Sequence, residues 1–570
     1  MKTLTFDEIL EQVGDFGPYQ KMAYYFLCTP AIMKAAIVLS AVFVLQLPQF
    51  RCAVPGLSND TFQEQDDHHK HLIDINIPPA SADEEFAQFY SQCHLYANST
   101  SVSLKLDNST AEQDTLNTTD QLSACHSWVY DKSEVLSSIL TEFNYVCDNK
   151  AMRSHTNMGF FTGSLVGCVL IGAIADIIGR KKALLVCVGI QVVCGSSLYF
   201  IPSMVGVVVV RSFQGMAAEM FAISAATGME LVGPRKRTFA GIVVQLFWSL
   251  GGLLVLLVSY LTKDWRISEL VYGLVAVPIF IMACIAPESP RWLLDKRRYQ
   301  EAEKIMKRIA KSNKTTLPDM ALKPNHDEPT TPKVKVWRLL TNKHLVATTL
   351  VVFFNWAVSR FAVNFLYNGL SLNLGNLSGS LYLNFLISIP VEAAGFLMCL
   401  PLLDRTGRKP LYIAFMFVGG VACLAVNFPV VFGNADHEWI ITTLVMLGKM
   451  TSSSCYTILY IVSVEVFPTV VRNSAIGLCS VFENVSGMVA PYVADLGILV
   501  GGSLSKALPT TVFGCVALLA ALLSLLLPET LHRAMPDTIE DVVRLVTEKR
   551  PDKRSGVVDD VQMQHLDVRL

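Results

Sequence analysis

The chain has 570 residues, of which 52% are hydrophobic and 16% are charged, and its mean hydropathy is +0.42. Soluble domains carry about 25% charged residues, so the composition excludes an ordinary soluble protein and indicates a membrane protein. The formal net charge of −2 favours neither a nucleic-acid partner nor a strongly acidic one.

In chain order, the first signal is a series of apolar runs of about 20 residues with few charges, each long enough to cross a bilayer as a helix. The sequence predicts an all-α membrane protein with twelve such spans, embedded in the lipid bilayer. They begin near Ala23, Asn157, Ala183, Val205, Thr238, Leu270, Leu345, Leu381, Leu411, Ile440, Ser474 and Thr511.

A long polar segment separates the first two spans. Residues 51–150 hold sixteen Asp or Glu and five Lys or Arg. Four Asn-X-Ser/Thr sequons, which indicate a glycosylated segment outside the membrane, lie at Asn59, Asn98, Asn108 and Asn117. Disulfides persist in that compartment, and four cysteines are available, at Cys52, Cys93, Cys125 and Cys147. Two disulfides are expected, and the sequence leaves three pairings open.

A second polar segment, residues 287–344, divides the spans into six and six. It holds fourteen Lys or Arg and seven Asp or Glu, and an excess of basic residues marks the cytoplasmic side. Its residues 296–311 predict amphipathic helices beneath the bundle. Because this segment is predicted to be cytoplasmic and six spans lie on each side of it, both termini are predicted to be cytoplasmic as well. The predicted units are an N-terminus at 1–22, a six-helix bundle at 23–286 that includes an extracellular loop at 50–150, a linker at 287–344, a second bundle at 345–530 and a tail at 531–570.

The two halves repeat the same local patterns, offset by about 230 to 240 residues. "AIADIIGRKKALLV" at 173–186 returns as "LDRTGRKPLYIAF" at 403–415, and "PESPRW" at 287–292 returns as "PET" at 528–530. Parallel repeats of this kind are a transporter architecture, in which the substrate site lies at the midplane between the halves. The repeat therefore predicts a transporter.

The repeated hairpin places acids and bases at the inner membrane boundary of both halves. Positive-inside anchoring alone is one interpretation. The pairing of an acid with a base in both copies favours a latch that holds the halves together on the cytoplasmic side and releases when the protein opens inward. The predicted latch residues are Asp176, Arg180, Asp404 and Arg408, with Glu230 and Glu465 pairing with its bases.

Ionisable residues inside spans are costly and are functional candidates by default. The sequence offers Lys34, Arg211, Glu219, Glu230, Arg360, Glu392, Lys449, Glu465 and Glu483. Carboxylates near the midplane, such as Glu392 and Glu483, would attract an ammonium group, and Trp248 or Tyr367 would add cation–π attraction of about 0.5–2 kcal/mol. The alternative is that these charges pair internally and that the aromatic side chains only pack.

Several motifs resemble one family. "GAIADIIGRKK" and "DRTGRKP" look like the signature loop of the major facilitator superfamily, and "RSFQG" (211–215) is similar to its fourth-helix motif. "CHSWVYDKSEVLSSILTEFNYVCD", "NMGFFTGS", "PESPRWLL" and "VEVFPTVVRN" together resemble the organic cation/carnitine/organic anion transporter family. The resemblance implies the major facilitator fold and a role in conformational coupling for Arg211.

The resemblance also implies a set of cavity residues, Asn157, Gln245, Tyr367 and Glu392. Asn484 falls where cation transporters of the family carry Asp and the anion and carnitine transporters tend to carry Arg. Glu483 is adjacent, but one residue turns about 100° around a helix. Lys449 looks like the carnitine-type pattern. Arg360, near a common Trp position, is expected either to pair with Glu392 or to meet a substrate carboxylate.

The function predicted from these features is a polyspecific organic cation transporter of the plasma membrane that works by alternating access and is driven by the membrane potential. The alternatives are a carnitine-like zwitterion transporter, an organic anion transporter and, from another class, a membrane-anchored receptor or binding protein. Sodium or proton coupling and the oligomeric state stay open. The sequence holds no GxxxxGK[ST] phosphate loop and no catalytic or metal-ligating constellation, so neither enzyme activity nor a cofactor is expected.

Overall fold

The computed structural model describes residues 6–80, 90–97, 122–233, 236–317, 343–377, 379–432, 438–466, 472–497, 507–527 and 529. Within these ranges it describes the side chains except at positions 7, 238, 343–352, 376, 404, 464–466 and 472–476. Three predicted sequons, Asn98, Asn108 and Asn117, lie outside the described residues. Asn59 lies within them and is exposed.

The described residues of the N-terminal half form six helical segments of membrane length, together with shorter helices. The helices are α1 (Phe6–Val13), α2 (Pro18–Leu39), α3 (Ala41–Val44), α4 (Asp67–Asn76), α5 (Ile139–Glu142), α6 (Met152–Ile178), α7 (Arg180–Ser197), α8 (Met204–Ala217), α9 (Met220–Glu230), α10 (Arg237–Thr262), α11 (Trp265–Ile285), α12 (Pro290–Asp295) and α13 (Tyr299–Asn313). The sequence marks several helix starts: Pro18 opens α2, where its missing N–H costs nothing, and the Asp264 side chain caps α11.

The C-terminal half repeats the same plan. Its helices are α14 (Lys343–Asn373), α15 (Leu381–Thr406), α16 (Arg408–Ala425), α17 (Asn427–Phe432), α18 (Glu438–Val466), α19 (Arg472–Ala494) and α20 (Leu508–Leu523). Among the described residues, nine helical segments are long and apolar enough to cross a membrane. The other three predicted spans coincide with α14, α18 and α19, which carry Arg360, Lys449 and Glu483.

The repeated hairpin of the first half is closed by a glutamate from another segment. Gly179, at φ 108°, joins α6 to α7 in a conformation that residues with a Cβ rarely adopt. A Cβ at that position would lie 2.6 Å from Glu288 Oε2. Glu288 accepts a hydrogen bond from the backbone N–H of Lys181 at 3.1 Å, as expected for a carboxylate at a helix N-terminus. Lys181 Nζ donates to the Cys284 carbonyl at 2.6 Å.

The second half builds the same junction from the matching residues. Gly407 has φ 98°, and its added Cβ would lie 2.7 Å from Glu529 Oε2. Glu529 accepts hydrogen bonds from the backbone N–H groups of Arg408 at 3.1 Å and Lys409 at 3.2 Å. Lys409 Nζ donates to the Leu525 carbonyl at 2.6 Å. The duplication seen in the sequence is therefore a duplicated three-dimensional motif that stabilises each half separately.

The segment between α3 and α6, which the sequence predicts to be extracellular, is a small folded unit that we call the outer unit. Strand β1 (Phe50–Cys52) pairs antiparallel with β4 (Trp128–Tyr130), and β2 (His94–Tyr96) pairs antiparallel with β3 (Leu122–Ala124). The disulfides join Cys52 to Cys125 and Cys93 to Cys147, which selects one of the three open pairings. Both disulfides tie the strands of this unit together.

A buried polar cluster lies inside the outer unit. Arg51 forms an ion pair with Asp60, and His69 Nε2 lies 3.0 Å from the same carboxylate. Burial raises the pKa of Asp60, but the hydrogen bonds from Arg51, from the Val54 backbone N–H and from His69 outweigh it, and the pKa lies below its ordinary value. The segment "DDHHKH" (66–71) forms the cap and the first turn of α4, with His69 buried and the other five residues exposed.

The outer unit is attached to the N-terminal half. Glu142 accepts hydrogen bonds from Trp265 Nε1 at 2.7 Å and from Arg266 Nε at 3.0 Å. Burial raises the pKa of Glu142, but these donors outweigh it and hold the pKa below its ordinary value. On the opposite face of this half, Asn313 at the end of α13 donates to the Val13 carbonyl at 3.1 Å. The amphipathic helix predicted there is therefore present and packs under the bundle.

Candidate functional site

A cavity lined by side chains of both halves lies between them, which is where a transporter built from two parallel repeats places its substrate. The N-terminal wall comes from α2, α6, α9 and α10, and the C-terminal wall from α14, α15, α18 and α19. The polar and aromatic side chains that line it are Lys34, Phe160, Phe161, Ser164, Phe221, Gln245, Trp248, Asn364, Tyr367, Asn368, Glu392, Phe396, Ser453, Tyr456, Glu483 and Asn484.

Six of the nine predicted binding residues lie on this cavity: Gln245, Trp248, Tyr367, Glu392, Glu483 and Asn484. Asn157 lines a smaller neighbouring pocket, together with Phe160 and Asn368. The remaining two, Arg360 and Lys449, are buried behind the C-terminal wall. Membrane-spanning helices from both halves are needed to bring the six together.

Glu392 is the most enclosed acid on the cavity wall. It is 2% exposed, and within the described part of the chain its Oε1 has no hydrogen-bond partner. Pro390 lies two residues earlier in α15, where it removes one backbone hydrogen bond of the helix. Trp248 Nε1 donates to the Tyr367 hydroxyl at 2.7 Å, so the aromatic pair beside Glu392 spans both halves of the protein.

Lys449 supplies the positive charge behind Glu392. It is 1% exposed and interacts electrostatically with Glu392. Its Nζ lies 5.7 Å from the Tyr367 ring centroid and 5.8 Å from that of Phe385. It also donates to Ser388 Oγ at 3.4 Å. Lys449 therefore neutralises a wall acid from behind and does not itself face the cavity.

Glu483 is paired with Arg360, a base for which the sequence suggested other partners. Arg360 Nη1 lies 3.2 Å from Glu483 Oε2, and Arg360 Nη2 donates to Ser463 Oγ at 2.9 Å. The Tyr456 hydroxyl donates to Glu483 Oε1 at 2.8 Å. The expectation that Arg360 pairs with Glu392 is wrong, because α14 directs it toward α18 and α19. Arg360 reaches Glu483 from behind the wall, where a substrate carboxylate would not meet it.

Sequence reasoning missed a third charged pair, on the N-terminal wall. Lys34 lines the cavity, with its Nζ 5.2 Å from the Phe221 ring centroid. It interacts electrostatically with Glu219, which accepts a hydrogen bond from Ser164 Oγ at 3.2 Å. Both residues stood among the ionisable groups inside spans, which was the available signal. Only the packing of α2 against α9 shows that they belong to the same site.

Contacts between the halves close the outer side of the cavity. Arg153, near the outer end of α6, lies 3.1 Å from Asp495 at the outer end of α19, and the Ser154 hydroxyl donates to the same carboxylate at 2.6 Å. His155 Nδ1 and the Tyr492 hydroxyl are 2.6 Å apart. We call these five residues the outer gate. Arg153 and Asp495 are nearly fully buried, so the gate is closed in this conformation.

The N-terminal members of the predicted cytoplasmic latch join elements of one half instead. Arg180 Nη2 lies 3.3 Å from Glu230 Oε1, and Glu230 also accepts a hydrogen bond from the Ser289 hydroxyl. Trp292 Nε1 donates to the backbone carbonyl of Asp176 at 3.2 Å. The expected base for Glu230 is present, but the expected link across the halves is not made by these residues, because α7, α9 and α12 all belong to the N-terminal half.

The other predicted conformational residues are distributed as follows. Arg408 Nη1 donates to the Leu403 carbonyl at 3.1 Å, across the hairpin turn. The side chains of Asp404 and Glu465 lie outside the described residues. Arg211 is 1% exposed, and its Nη1 lies 3.0 Å from Glu269 Oε1. This ion pair joins α8 to α11 within the N-terminal half.

Comparison with known proteins places the chain in a sequence family. The family model described as "Sugar (and other) transporter" matches residues 96–539. The organic cation transporter protein of Drosophila melanogaster is 34% identical over 525 residues, which cover 90% of each chain. Human solute carrier family 22 member 2 is 31% identical over 576 residues, which cover 99% of each chain.

Solved structures with the same fold are more distant in sequence. The xylose transporter XylE from E. coli, in a partially occluded inward-open conformation, has a TM-score of 0.58 at 13% identity and covers 90% of this chain and 99% of that chain. The human organic anion transporter MFSD10 has a TM-score of 0.51 at 12% identity and covers 89% of this chain and 100% of that chain. These similarities confirm the predicted fold, and at this identity they bear on the fold alone.

Proposed function

This chain belongs to the sugar (and other) transporter family of the major facilitator superfamily and, within it, to the organic cation/carnitine/organic anion transporter family, and from this premise we propose that it carries organic cations across the plasma membrane. The protein is a multi-pass membrane transporter and not an enzyme. The relatives named organic cation transporters support the choice of solute. What the site adds is a physical reason for preferring a cation.

The observation that supports a cationic solute is the pair of acids on the C-terminal wall. Glu392 and Glu483 both line the cavity, and Glu392 keeps an unbonded, buried carboxylate oxygen. Trp248, Tyr367 and Tyr456 line the same cavity and supply its aromatic surface. A desolvated cation over an aromatic face gains about 2 kcal/mol, and such faces tolerate amines of different shapes because they impose few fixed hydrogen bonds.

Alternating access is the mechanism that we propose. The outer gate is closed by side chains from both halves, including the Arg153–Asp495 ion pair, so opening it requires the halves to separate at that end. Each half is stabilised internally at its inner hairpin by Glu288 or Glu529. The halves can therefore move as rigid units about the cavity. Cation entry would be driven by the membrane potential, which supplies about 2.3 kcal/mol per charge per 100 mV.

Uptake measurements in one expression system test the proposal. Labelled tetraethylammonium is expected to enter saturably without sodium, and depolarising the cell should slow its entry. Labelled carnitine and a small aromatic anion serve as comparison solutes. If none of the three enters faster than into cells that lack the protein, the proposed transport of small organic ions is wrong.

A carnitine-like zwitterion is the second candidate, and Lys34 favours it. The Lys34 ammonium lies on the N-terminal wall of the cavity, and Glu392 and Glu483 lie on the C-terminal wall. Both signs of charge are therefore available to one solute. Sodium-dependent entry of carnitine, without entry of tetraethylammonium, would establish this candidate in place of the first.

A further inference from the structure

The C-terminal wall of the cavity presents negative charge. Glu392 and Glu483 line the cavity, whereas the bases that neutralise them do not. Lys449 lies behind Glu392 and is 1% exposed, and Arg360 lies behind Glu483, 3.2 Å from its carboxylate. A solute in the cavity therefore contacts the two acids directly, and the acids separate it from the two bases.

The N-terminal wall has the reverse order. Lys34 lines the cavity, whereas Glu219, the acid with which it interacts, is half-buried and is not among the lining residues, although it also interacts electrostatically with Glu483. Ser164 donates to Glu219 at 3.2 Å and keeps the acid in place. The Phe221 ring, 5.2 Å from Lys34 Nζ, holds the ammonium by cation–π attraction. A solute meets a base first on this side.

Together the three pairs are formally neutral, but the cavity that they surround is polarised. Among the lining residues, the acids Glu392 and Glu483 belong to the C-terminal half and the base Lys34 belongs to the N-terminal half. In a site shielded from water, charges interact several-fold more strongly than in solution, and a like charge placed against a wall charge is costly. The order of acid and base on each wall therefore governs which solutes fit and in which orientation.

We propose that Lys34 is a specificity-determining residue of this carrier. Its ammonium excludes a second positive charge from the N-terminal side and attracts an electronegative group there, so solutes bind with their ammonium toward Glu392 and Glu483. The inference rests on the proposed function, since it concerns selection among organic cations by the same cavity.

The test compares solutes that differ in charge at the end facing Lys34. The probes are tetraethylammonium with one positive charge, hexamethonium with two, and betaine with an ammonium and a carboxylate. Lys34→Met should raise the kcat/KM of hexamethonium relative to tetraethylammonium by about tenfold or more, since like-charge repulsion of this kind is worth several kcal/mol. The same substitution should lower the kcat/KM of betaine relative to tetraethylammonium.

Lys21 provides a matched control on the same helix. It is an exposed lysine of α2 outside the cavity, and its Nζ also lies near a phenylalanine, 5.8 Å from the Phe16 ring centroid. Lys21→Met should leave both ratios at their wild-type values. Lys34→Arg, which keeps the charge, should keep the discrimination against hexamethonium.

A double variant separates a direct effect from an indirect one. Lys34→Met/Glu219→Gln removes both members of the pair and leaves no unpaired charge, so it also serves if the single variant folds poorly. If Lys34 acts directly, the double variant keeps the relaxed selectivity. A return to the wild-type ratio would assign the effect to unpaired Glu219 and overturn the proposal, as would unchanged ratios in Lys34→Met. Wild-type uptake of tetraethylammonium, measured in the same experiment, tests the proposed function separately.

Discussion

Replacing Glu392 by glutamine should weaken cation binding far more than it changes the shape of the cavity. The substitution keeps the size of the side chain and removes one negative charge from a position that is 2% exposed. Interactions with a charged partner are worth about 1.5–3 kcal/mol. Since about 1.4 kcal/mol corresponds to tenfold in affinity, we expect the KM for tetraethylammonium to rise by about tenfold to a hundredfold.

The same substitution also removes the counter-charge of Lys449. An uncompensated buried charge costs about 3–5 kcal/mol, so the amount of folded protein at the cell surface should fall. The double variant Glu392→Gln/Lys449→Met removes both charges and should recover surface protein without recovering cation affinity. Lys449→Met alone leaves Glu392 unpaired and should lower the KM for tetraethylammonium.

The assay is saturable uptake divided by the amount of surface-biotinylated transporter. Asp60→Asn is the matched control, since Asp60 is a buried acid paired with Arg51 in the outer unit and does not line the cavity. It should lower the amount of folded protein and leave the KM near the wild-type value. If Glu392→Gln raises the KM less than twofold while its surface level falls as in the control, Glu392 is structural and the reasoning fails.

Three further predictions concern the outer side of the protein. Arg153→Gln breaks the ion pair of the outer gate. It should increase several-fold the rate at which an impermeant reagent labels a cysteine placed at Asn157. An unchanged labelling rate would show that the gate opens without breaking that pair. The folded-state pKa of Asp60 is below its ordinary value, so its stabilisation is present above about pH 3.9 and is lost as the pH falls through the lower folded value. Hydrogen-exchange protection of residues 50–76 should therefore decline in that acid range in the wild type and not in Asp60→Asn; parallel declines would remove Asp60 as the cause. The Cys52–Cys125 disulfide closes a loop with a separation of 73 residues, for which chain entropy suggests about 4 kcal/mol; Cys52→Ser should lower surface expression, and adding Cys125→Ser should lower it no further, whereas additive losses would argue against the pairing.

The fold was predictable because its signals are local and repeated. Apolar runs indicate spans wherever they occur, and the matching patterns near Gly179 and Gly407 revealed two halves of the same design. The structure adds why those patterns repeat: each glycine allows a glutamate from the end of its own half to reach the N-terminus of the next helix. A short motif and its partner about a hundred residues away are both visible in sequence, but their contact is not.

The binding residues were predictable in kind and less so in arrangement. Glu392, Glu483 and Tyr367 line the cavity as expected, since polar groups inside spans are too costly to be placed at random. Neither alternative offered for Arg360, pairing with Glu392 or meeting a substrate carboxylate, named its observed partner Glu483, and Lys34 was given no specific role. Both errors concern which face of a helix meets which neighbour.

Sequence alone determined that this is a two-bundle membrane transporter with charged groups inside its spans, because length, apolarity and internal repetition are properties of the chain itself. Only the tertiary structure decided which acid each base neutralises, which member of each pair faces the cavity, and that the repeated hairpins stabilise single halves. A helix presents a new face every residue, about 100° apart. The partner of a buried charge is therefore set by how helices pack and rotate against one another.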